Sequence, residues 1–202
     1  MRLGIEKLDS VLGEVREGDV LLIETVGSLG VEILSKLIRD NKEKLAVAVV
    51  LPKGASERRI IPTEGVDLLV MGENVHAERL YEILHTIRKL PGGSLIVGIR
   101  LDNLLLFRLP EAVYRFMEDI VSTVQNKNLI FVTTIDKRNV SERDLAVFEN
   151  LSTHIIDITE TVKGFKVSLV MRVKKSPNGS SGFCEFEIHE GRVVIGSSPD
   201  NL

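Results

Sequence analysis

The segment 24–32 contains the residue types and spacing best suited to bind an anion. It joins an apolar run typical of a buried strand to a helical pattern, and at such a turn backbone amides and the helix dipole face the ligand. Aligned with the phosphate-loop pattern G-x-x-x-x-G-K-[ST], Gly30 takes the place of the second glycine and Thr25 that of the first. Val31 replaces the lysine, and Glu32 replaces the hydroxyl residue that binds Mg²⁺. The segment therefore predicts a turn that keeps its amides and lacks the charges of a phosphate loop.

Two interpretations of this turn remain open. In the first, the turn still binds a nucleotide or another anion through Gly27, Ser28, Leu29 and Gly30. In the second, the glycines only provide the backbone angles of a tight strand-to-helix connection that binds nothing. The second is favoured because Glu24 and Glu32 flank the turn and repel a polyphosphate.

Other side chains that could do chemistry are scattered along the chain. Lys53, Arg58 and Arg59 lie in the loop after the second predicted strand, on the edge where ligands bind, and they are equally typical of a solvated loop. No metal site is expected, because the four histidines share no ligand spacing: His76, His85, His154 and His189. Cys184 is the only cysteine, which excludes an intrachain disulfide and a metal site built from thiols alone.

Alternating strand and helix patterns must position these residues. Continuous apolar runs predict buried strands at residues 19–24, 45–51, 67–71, 94–99 and 128–133. Helical periodicity predicts helices at 31–39 and 77–89, a further helix opened by Pro110, and another capped by Ser141. Beyond residue 154 the pattern alternates over 165–173 and 184–188, which predicts antiparallel strands. This order favours an α/β fold with a parallel sheet and helices on both of its faces.

Length and composition favour a single domain over residues 1–196, followed by a flexible tail at 197–202. The 202 residues include 26 Lys and Arg against 29 Asp and Glu with no basic stripe, so a nucleic-acid partner is not expected. No apolar run is long enough for a signal peptide or a membrane span, and we therefore expect a cytoplasmic protein. The absence of Trp and the abundance of Lys, Glu and Arg resemble the composition of thermophile proteins.

Both ends of the chain carry short motifs in a definite order. The N-terminal motifs are Gly4-Ile5, Leu8-Asp9, Leu12-Gly13 and Gly18-Asp19, and the last leads directly into the first predicted strand. The C-terminal motifs lie at residues 169–175 and 186–193, with a loop between them. In this order they resemble the RecA superfamily, specifically the archaeal KaiC-like and RadA-like ATPases, and the chain is similar to a KaiC-like family of hyperthermophilic archaea. The resemblance covers almost the whole chain. It implies a three-layer α/β/α sandwich, a P-loop NTPase-like fold whose mostly parallel sheet ends in antiparallel C-terminal hairpins.

The chain departs from this family at positions that do chemistry. The family has a glutamate after the second strand that activates the attacking water, whereas the first carboxylate after that strand here is Glu57. The family's Mg²⁺-binding aspartate after the fourth strand is matched by Asp102, which also suits a strand end or a helix N-cap. The family's Lys-x-Arg, which reaches a nucleotide on the neighbouring subunit, is matched by Lys175, but Pro177 replaces the arginine. Lys174 and Lys175 equally suit a solvated pair on an exposed strand edge.

We therefore expect a degenerate Walker A motif in a catalytically inactive KaiC-like pseudo-ATPase that has no cofactor. It is expected to act through protein contacts as a regulatory or assembly protein, with a protein partner or by self-association, because the resembling proteins form rings or filaments. The alternative is a KaiC-like protein that binds ATP and Mg²⁺ through the turn and Asp102, with slow or no hydrolysis. A third possibility is an α/β enzyme that acts on a small molecule in another pocket, because a fold does not determine a function.

Overall fold

Nine strands form one sheet within the described part of the chain, residues 1–27, 29–76, 79–163, 166–189 and 192–195 of the computed structural model. Ser28 and the predicted tail at 197–202 lie outside the described residues. The strands are β1 Val20–Thr25, β2 Val47–Pro52, β3 Asp67–Met71, β4 Leu95–Gly98, β5 Ile130–Asp136, β6 His154–Lys163, β7 Lys166–Lys175, β8 Cys184–His189 and β9 Arg192–Ile195. The order across the sheet is β3-β2-β4-β5-β1-β6-β7-β8-β9, parallel from β3 to β6 and antiparallel from β6 to β9.

Helices cover both faces of the parallel part of the sheet. They are α1 Glu6–Leu12, α2 Val31–Asn41, α3 Leu80–Ile87, α4 Pro110–Lys127 and α5 Glu142–Leu151, with two short 3-10 helices at Ser56–Arg59 and Leu101–Leu106. One core packs α1 and α2 against Leu21 and Ile23 of β1. The other packs α3, α4 and α5 against Val20 and Leu22 of the same strand. Because β1 is buried on both faces, its residues Val20 to Ile23 are continuously apolar instead of alternating.

The fold class expected from the sequence is confirmed: this is a three-layer α/β/α sandwich with antiparallel strands at its C-terminal side. Pro110 is the first residue of α4, as predicted, and Ser141 caps α5 through a capping box with Asp144. Within the described residues, no helix combines the length and the apolar character needed to cross a membrane.

Most predicted bounds agree with the structure to within two residues, but two predicted elements differ from it by three residues at one end. The helix predicted at 77–89 is limited to Leu80–Ile87, and residues 77 and 78 lie outside the described part of the chain. The strand predicted at 128–133 begins at Ile130 and continues to Asp136, because Thr134 and Ile135 are buried between neighbouring strands. This extension brings Asp136 to the carboxyl edge of the sheet, directly beside the end of β1, where Thr25 pairs with it.

The connections leaving β2 and β4 diverge. The chain leaves β2 toward β3, and Ile61 of that connection packs into the α1/α2 core. The chain leaves β4 toward β5 on the opposite side, and Leu101 and Leu104 of the second 3-10 helix pack into the α3/α4/α5 core. Adjacent strands whose connections part in this way form a topological switch point, which opens a crevice at their carboxyl ends.

The prediction of Lys174 and Lys175 as a solvated pair on a strand edge is wrong for Lys174, whose side chain is 29% exposed, whereas Lys175 is exposed. Both lie at the end of β7, beyond Met171, the last residue of β7 that pairs with β8. Lys174 points toward the carboxylates of Glu24 and Glu149 and is hydrogen-bonded to both. Lys174 is therefore an ion-pair partner of these two carboxylates.

Candidate functional site

The backbone amide of Gly27, the first amide of the candidate anion-binding turn, is bound by a carboxylate of the protein itself. Gly27 N donates to Asp136 Oδ2 over 3.0 Å. Gly27 has a φ of +64°, the left-handed region that favours glycine, and this conformation turns the chain away from β1. The parallel pairing of β1 with β5 places Asp136 beside Thr25, so its side chain reaches the turn that follows.

Arg138 holds the Asp136 carboxylate in this position. Its Nε and Nη2 atoms lie 3.1 and 2.9 Å from Oδ1 and Oδ2, and its backbone N–H donates to Oδ1 over 3.0 Å. Burial of Asp136 opposes its ionisation, but the side-chain and backbone hydrogen bonds from Arg138 outweigh burial and lower the pKa of Asp136 below its ordinary value. The carboxylate is therefore an anion at neutral pH, in a turn where a bound phosphate would also be an anion.

The far end of the turn is closed by Thr25. Its Oγ1 accepts a hydrogen bond from Gly30 N over 3.0 Å, and Thr25 is fully buried. A Cβ at Gly30 would lie 3.1 Å from Ile23 Cγ2 and 3.2 Å from Thr134 Cγ2, closer than side chains ordinarily pack. Glycine at this position thus allows α2 to pack closely against the sheet. In a phosphate loop the amide at the position of Gly30 faces the ligand, whereas here it donates to the side chain of Thr25, which replaces the first glycine.

A buried guanidinium lies at the end of the neighbouring strand β4. Arg100 Nε and Nη2 lie 3.4 Å from the two oxygens of Asp102, Nη1 lies 3.4 Å from Glu57 Oε1, and Nη2 lies 3.7 Å from Asp136 Oδ2. The Arg100 side chain is 15% exposed, while those of Glu57, Asp102 and Asp136 are 8%, 0% and 3% exposed. Together with Arg138, five charged side chains form what we call the Arg100 cluster.

The backbone of Arg100 is strained. Its φ of 53° and ψ of 45° lie in the left-handed region, where a long side chain is uncommon. Its amide donates to Thr134 Oγ1 over 3.1 Å, and this bond together with the ion pairs holds the conformation. Strain of about 1–3 kcal/mol persists only where surrounding contacts enforce it. The geometry thus places the guanidinium among the three carboxylates at a conformational cost.

Asp102, the residue that the resemblance assigns to Mg²⁺, is engaged by protein partners. It lies in the 3-10 helix after β4, is fully buried, and accepts a hydrogen bond from Asn139 Nδ2 over 3.1 Å in addition to its contacts with Arg100. Burial raises the pKa of Asp102 above its ordinary value, although Arg100 and Asn139 favour the charged form. Within the described residues no group of three or more His, Cys, Asp or Glu side chains could hold a metal ion.

Glu24, expected to repel a polyphosphate at the turn, is instead neutralised by a lysine. It is 1% exposed, and Lys174 Nζ lies 3.2 and 3.1 Å from its two carboxylate oxygens and 2.6 Å from Glu149 Oε1. Burial raises the pKa of Glu24 to about 7, an effect that Lys174 partly opposes. Its repulsion of an anion at the turn is therefore much weaker than the sequence indicates. Glu32 lies in the first turn of α2.

The predicted site residues do not all come together. Gly27, Gly30 and Asp102 lie at the carboxyl edge of the parallel strands, beside the Arg100 cluster. Lys175 does not, because it pairs with Ile155 near the amino end of β6 and donates to Glu149 O over 3.1 Å. The structure thus separates Lys175 from the turn of its own chain. Leu29 precedes α2, and the site role predicted for Ser28 falls on a residue outside the described part of the chain.

Sequence reasoning missed four members of the Arg100 cluster: Glu57, Arg100, Asp136 and Arg138. Of these, only Glu57 was noted from the sequence, as the first carboxylate after the second strand. Asp136 and Arg138 are an acid and a base two residues apart, just beyond a predicted strand. This pairing was the signal in the sequence that could have indicated the cluster. It was hidden because the strand was expected to end three residues earlier, away from the sheet edge.

The residues present do not fit Mg²⁺ and ATP bound as in a phosphate loop. Within the turn, the backbone amides of Gly27 and Gly30 already bind protein oxygens. The carboxylate matching the metal ligand, Asp102, faces the guanidinium of Arg100, and no lysine follows Gly30. A nucleotide would have to displace the Asp136 carboxylate and its ion pairs before a phosphate could reach the Gly27 amide.

Solved structures that share this fold along nearly the whole chain include two archaeal proteins. A KaiC-like protein from the hyperthermophilic archaeon Pyrococcus horikoshii matches with a TM-score of 0.75 and 14% identity, covering 97% of this chain and 98% of that one. The flagellar accessory protein FlaH from Methanocaldococcus jannaschii matches with a TM-score of 0.67 and 13% identity, covering 96% of both chains. No family model matches the sequence, and no curated protein is significantly similar to it. The chain therefore has the KaiC-like RecA fold, and at these identities the likeness concerns the fold alone.

Proposed function

We propose that this KaiC-like domain is a pseudo-ATPase, which does not hydrolyse ATP and acts through protein contacts as a regulatory or assembly protein. The observation that carries the proposal is the hydrogen bond of 3.0 Å from Gly27 N to the Asp136 carboxylate. An internal anion takes the place at which a phosphate oxygen would bind. No cofactor is then required at this edge of the sheet.

The charges of the site support the same proposal. Catalysis of phosphoryl transfer depends on cations placed where negative charge develops, chiefly a lysine and Mg²⁺. Here Arg100 and Arg138 are instead paired with three carboxylates of the same chain. A polyphosphate that approached this cluster would compete with buried carboxylates for both guanidiniums. Breaking the largely buried pairs of Arg100 costs about 3–5 kcal/mol, whereas the exposed Arg138 contributes less.

Exposed apolar side chains support a role through protein contacts. Tyr81, Leu106 and Leu109 are 62%, 61% and 75% exposed, although residues of this size usually bury most of their surface. Tyr81 and Leu109 border a groove between α3 and α4 whose lining includes Leu84 and Phe116. Contiguous exposed apolar surface is typical of interaction sites. The structural neighbour FlaH is described as an accessory protein, which agrees with a role within an assembly.

The proposal is tested by titrating the protein with Mg²⁺ and ATP in a calorimeter and by measuring phosphate release under the same conditions. We expect no saturable heat and no Mg²⁺-dependent turnover. Turnover that co-elutes with the protein on gel filtration and is abolished by EDTA would contradict the proposal. Saturable binding without turnover would instead favour the alternative of an ATP-binding KaiC-like protein.

The contact role is tested separately by sedimentation velocity and by capture of partners from a lysate of the source organism. Leu109→Ser should reduce self-association or remove a partner that the wild-type protein retains, because Leu109 is 75% exposed beside the groove. Val162→Ser is the matched control, since Val162 is 69% exposed at the far end of β6. A wild-type protein that stays monomeric and retains no partner would contradict this part of the proposal.

A further inference from the structure

A separate cavity of about 470 Å³ opens at the carboxyl ends of β2 and β3. It lies between those strand ends and the 3-10 helix Leu101–Leu106, and its volume falls within the range of small-molecule sites, roughly 300–1,000 Å³. The adjoining strands β2 and β4 form the topological switch point of the sheet, the place where open α/β sheets bind their ligands.

The cavity has an apolar wall. Met71 and Leu104 are buried, at 4% and 6% exposed, and Pro52 lies beside them at the end of β2. Phe107 also lines the cavity but is 82% exposed, so most of its ring surface remains in water. An aromatic ring exposed in this way at the side of a cavity offers a flat surface on which another ring can stack, a contact that is favourable beyond simple burial.

The lining of the cavity is also polar and cationic. It includes Lys53, Asn103 and Arg108, and the side chain of Lys53 forms no hydrogen bond or ion pair within the described residues. The stem of Lys53 lies against the backbone of Gly72, where an added Cβ would be 3.4 Å from Lys53 Cβ and 3.6 Å from its Cδ. These are ordinary contact distances, and glycine is favoured at position 72 by its φ of +89°.

We infer that this cavity binds a small organic anion with a flat apolar body, which lies between Phe107 and Leu104 while its acidic group contacts Lys53. The apolar wall accounts for the body of the ligand, and the lysine without a protein partner accounts for its charge. Lys53 was one of the basic residues that the sequence placed after the second strand, on the edge where ligands bind.

The inference does not depend on the pseudo-ATPase proposal. The turn 27–30 follows β1, and β4 and β5 separate β1 from β2 in the sheet. With strands about 4.8 Å apart, the two places are separated by on the order of 14 Å. A nucleotide at the turn and an organic anion in the cavity would therefore respond to different substitutions.

The test uses two fluorescent probes of nearly the same shape: 8-anilinonaphthalene-1-sulfonate, which is an anion, and N-phenyl-1-naphthylamine, which lacks the sulfonate. The chain contains no Trp, so excitation of either probe is free of indole background. We expect the anionic probe to bind the full-length protein saturably at one site and more tightly than the neutral probe.

Substitutions at exposed positions locate the site without disturbing the core. Lys53→Met should weaken the anionic probe about 3- to 10-fold and leave the neutral probe unchanged, since it removes only the charge. Phe107→Ser should weaken both probes about 3- to 10-fold by removing the stacking surface. Lys89→Met is the matched control, because Lys89 is exposed and lies beyond α3, and it should change neither affinity.

Three results would overturn the inference. The first is unchanged binding of the anionic probe in both Lys53→Met and Phe107→Ser. The second is equal affinity of the charged and neutral probes for the wild-type protein. The third is loss of the probe in Leu109→Ser, which would place it in the groove between α3 and α4 instead of the cavity.

Discussion

Replacing Asp136 with asparagine should destabilise the protein at neutral pH, because this side chain joins the turn to β5. Asparagine keeps one oxygen, which can still accept from the Arg138 backbone and Nε, but it places an NH₂ group where Oδ2 accepts from Gly27 N and Arg138 Nη2. The asparagine NH₂ group, the Gly27 amide and Arg138 Nη2 are all donors, so the hydrogen bonds from Gly27 and from Nη2 are both lost.

The size of the destabilisation follows from how deeply each of the two lost hydrogen bonds is buried. A hydrogen bond to a charged group contributes about 1.5–3 kcal/mol, and the Gly27 bond lies at a carboxylate that is 3% exposed. The Arg138 side chain is 61% exposed, so its share is limited to about 0.2–1 kcal/mol by solvent screening. We expect the free energy of unfolding to fall by about 2–3 kcal/mol, which lowers the Tm by roughly 5–10 °C for a chain of this length.

Urea unfolding followed by circular dichroism at pH 7 measures this loss, with Asp40→Asn as the control. Asp40 is 50% exposed and pairs with Lys36 on the surface of α2, so its substitution should cost less than about 0.5 kcal/mol. The reasoning is refuted if the two variants are equally stable, since Asp136 would then contribute no more than a surface carboxylate.

The same variant has a predicted pH dependence. The pKa of Asp136 in the folded protein is lowered, so its stabilisation is fully present above the pKa of the unfolded chain, about 4. It is lost as the pH falls through the lower pKa of the folded state. The unfolding free energies of the wild-type protein and Asp136→Asn should therefore converge below pH 4.

Three further predictions concern the turn, a buried acid and a helix cap. The double variant Val31→Lys with Glu32→Thr should raise the affinity for ATP less than about 3-fold, as measured by calorimetry. Adding Asp136→Asn to it should raise that affinity on the order of 10-fold or more, because the Gly27 amide is then free. Tight ATP binding by the double variant alone would contradict this prediction. Burial raises the pKa of Glu24 from 4.5 to about 7. Between these pH values the folded state keeps a proton that the unfolded state has lost, so the free energy of unfolding should fall as the pH rises from 4.5 to about 7. Glu24→Gln should remove about 1–3 kcal/mol of that fall in urea titrations at pH 5 and 7.5, and parallel curves would refute it. Ser141→Ala breaks the capping box of α5 and should cost about 1 kcal/mol, a Tm decrease of roughly 2–4 °C, and an unchanged Tm would count against a stabilising cap.

Local sequence patterns predicted most of the elements of the sheet and its helices. Examples are the continuous apolar run of β1 and the helical spacing of apolar residues in α4. Each pattern reflects which faces of a single element are buried, so a few neighbouring residues are enough to show it. Strand ends were less predictable, as the extension of β5 to Asp136 shows. A buried polar stretch such as Thr133-Thr134 has no apolar pattern of its own, and only pairing with neighbouring strands makes it part of the sheet.

By itself the sequence determined that the turn after β1 keeps the second glycine of a phosphate loop, Gly30, and lacks its first glycine, lysine and hydroxyl. Only the tertiary structure decided what the turn binds instead. Gly27 and Asp136 are 109 positions apart, and Arg100 is brought to Glu57 across 43 positions, because β1, β5, β4 and β2 end at one edge of a parallel sheet. Charges so distant in sequence have no local signature. Their pairing depends on the order of strands, which arises from the packing of the whole core.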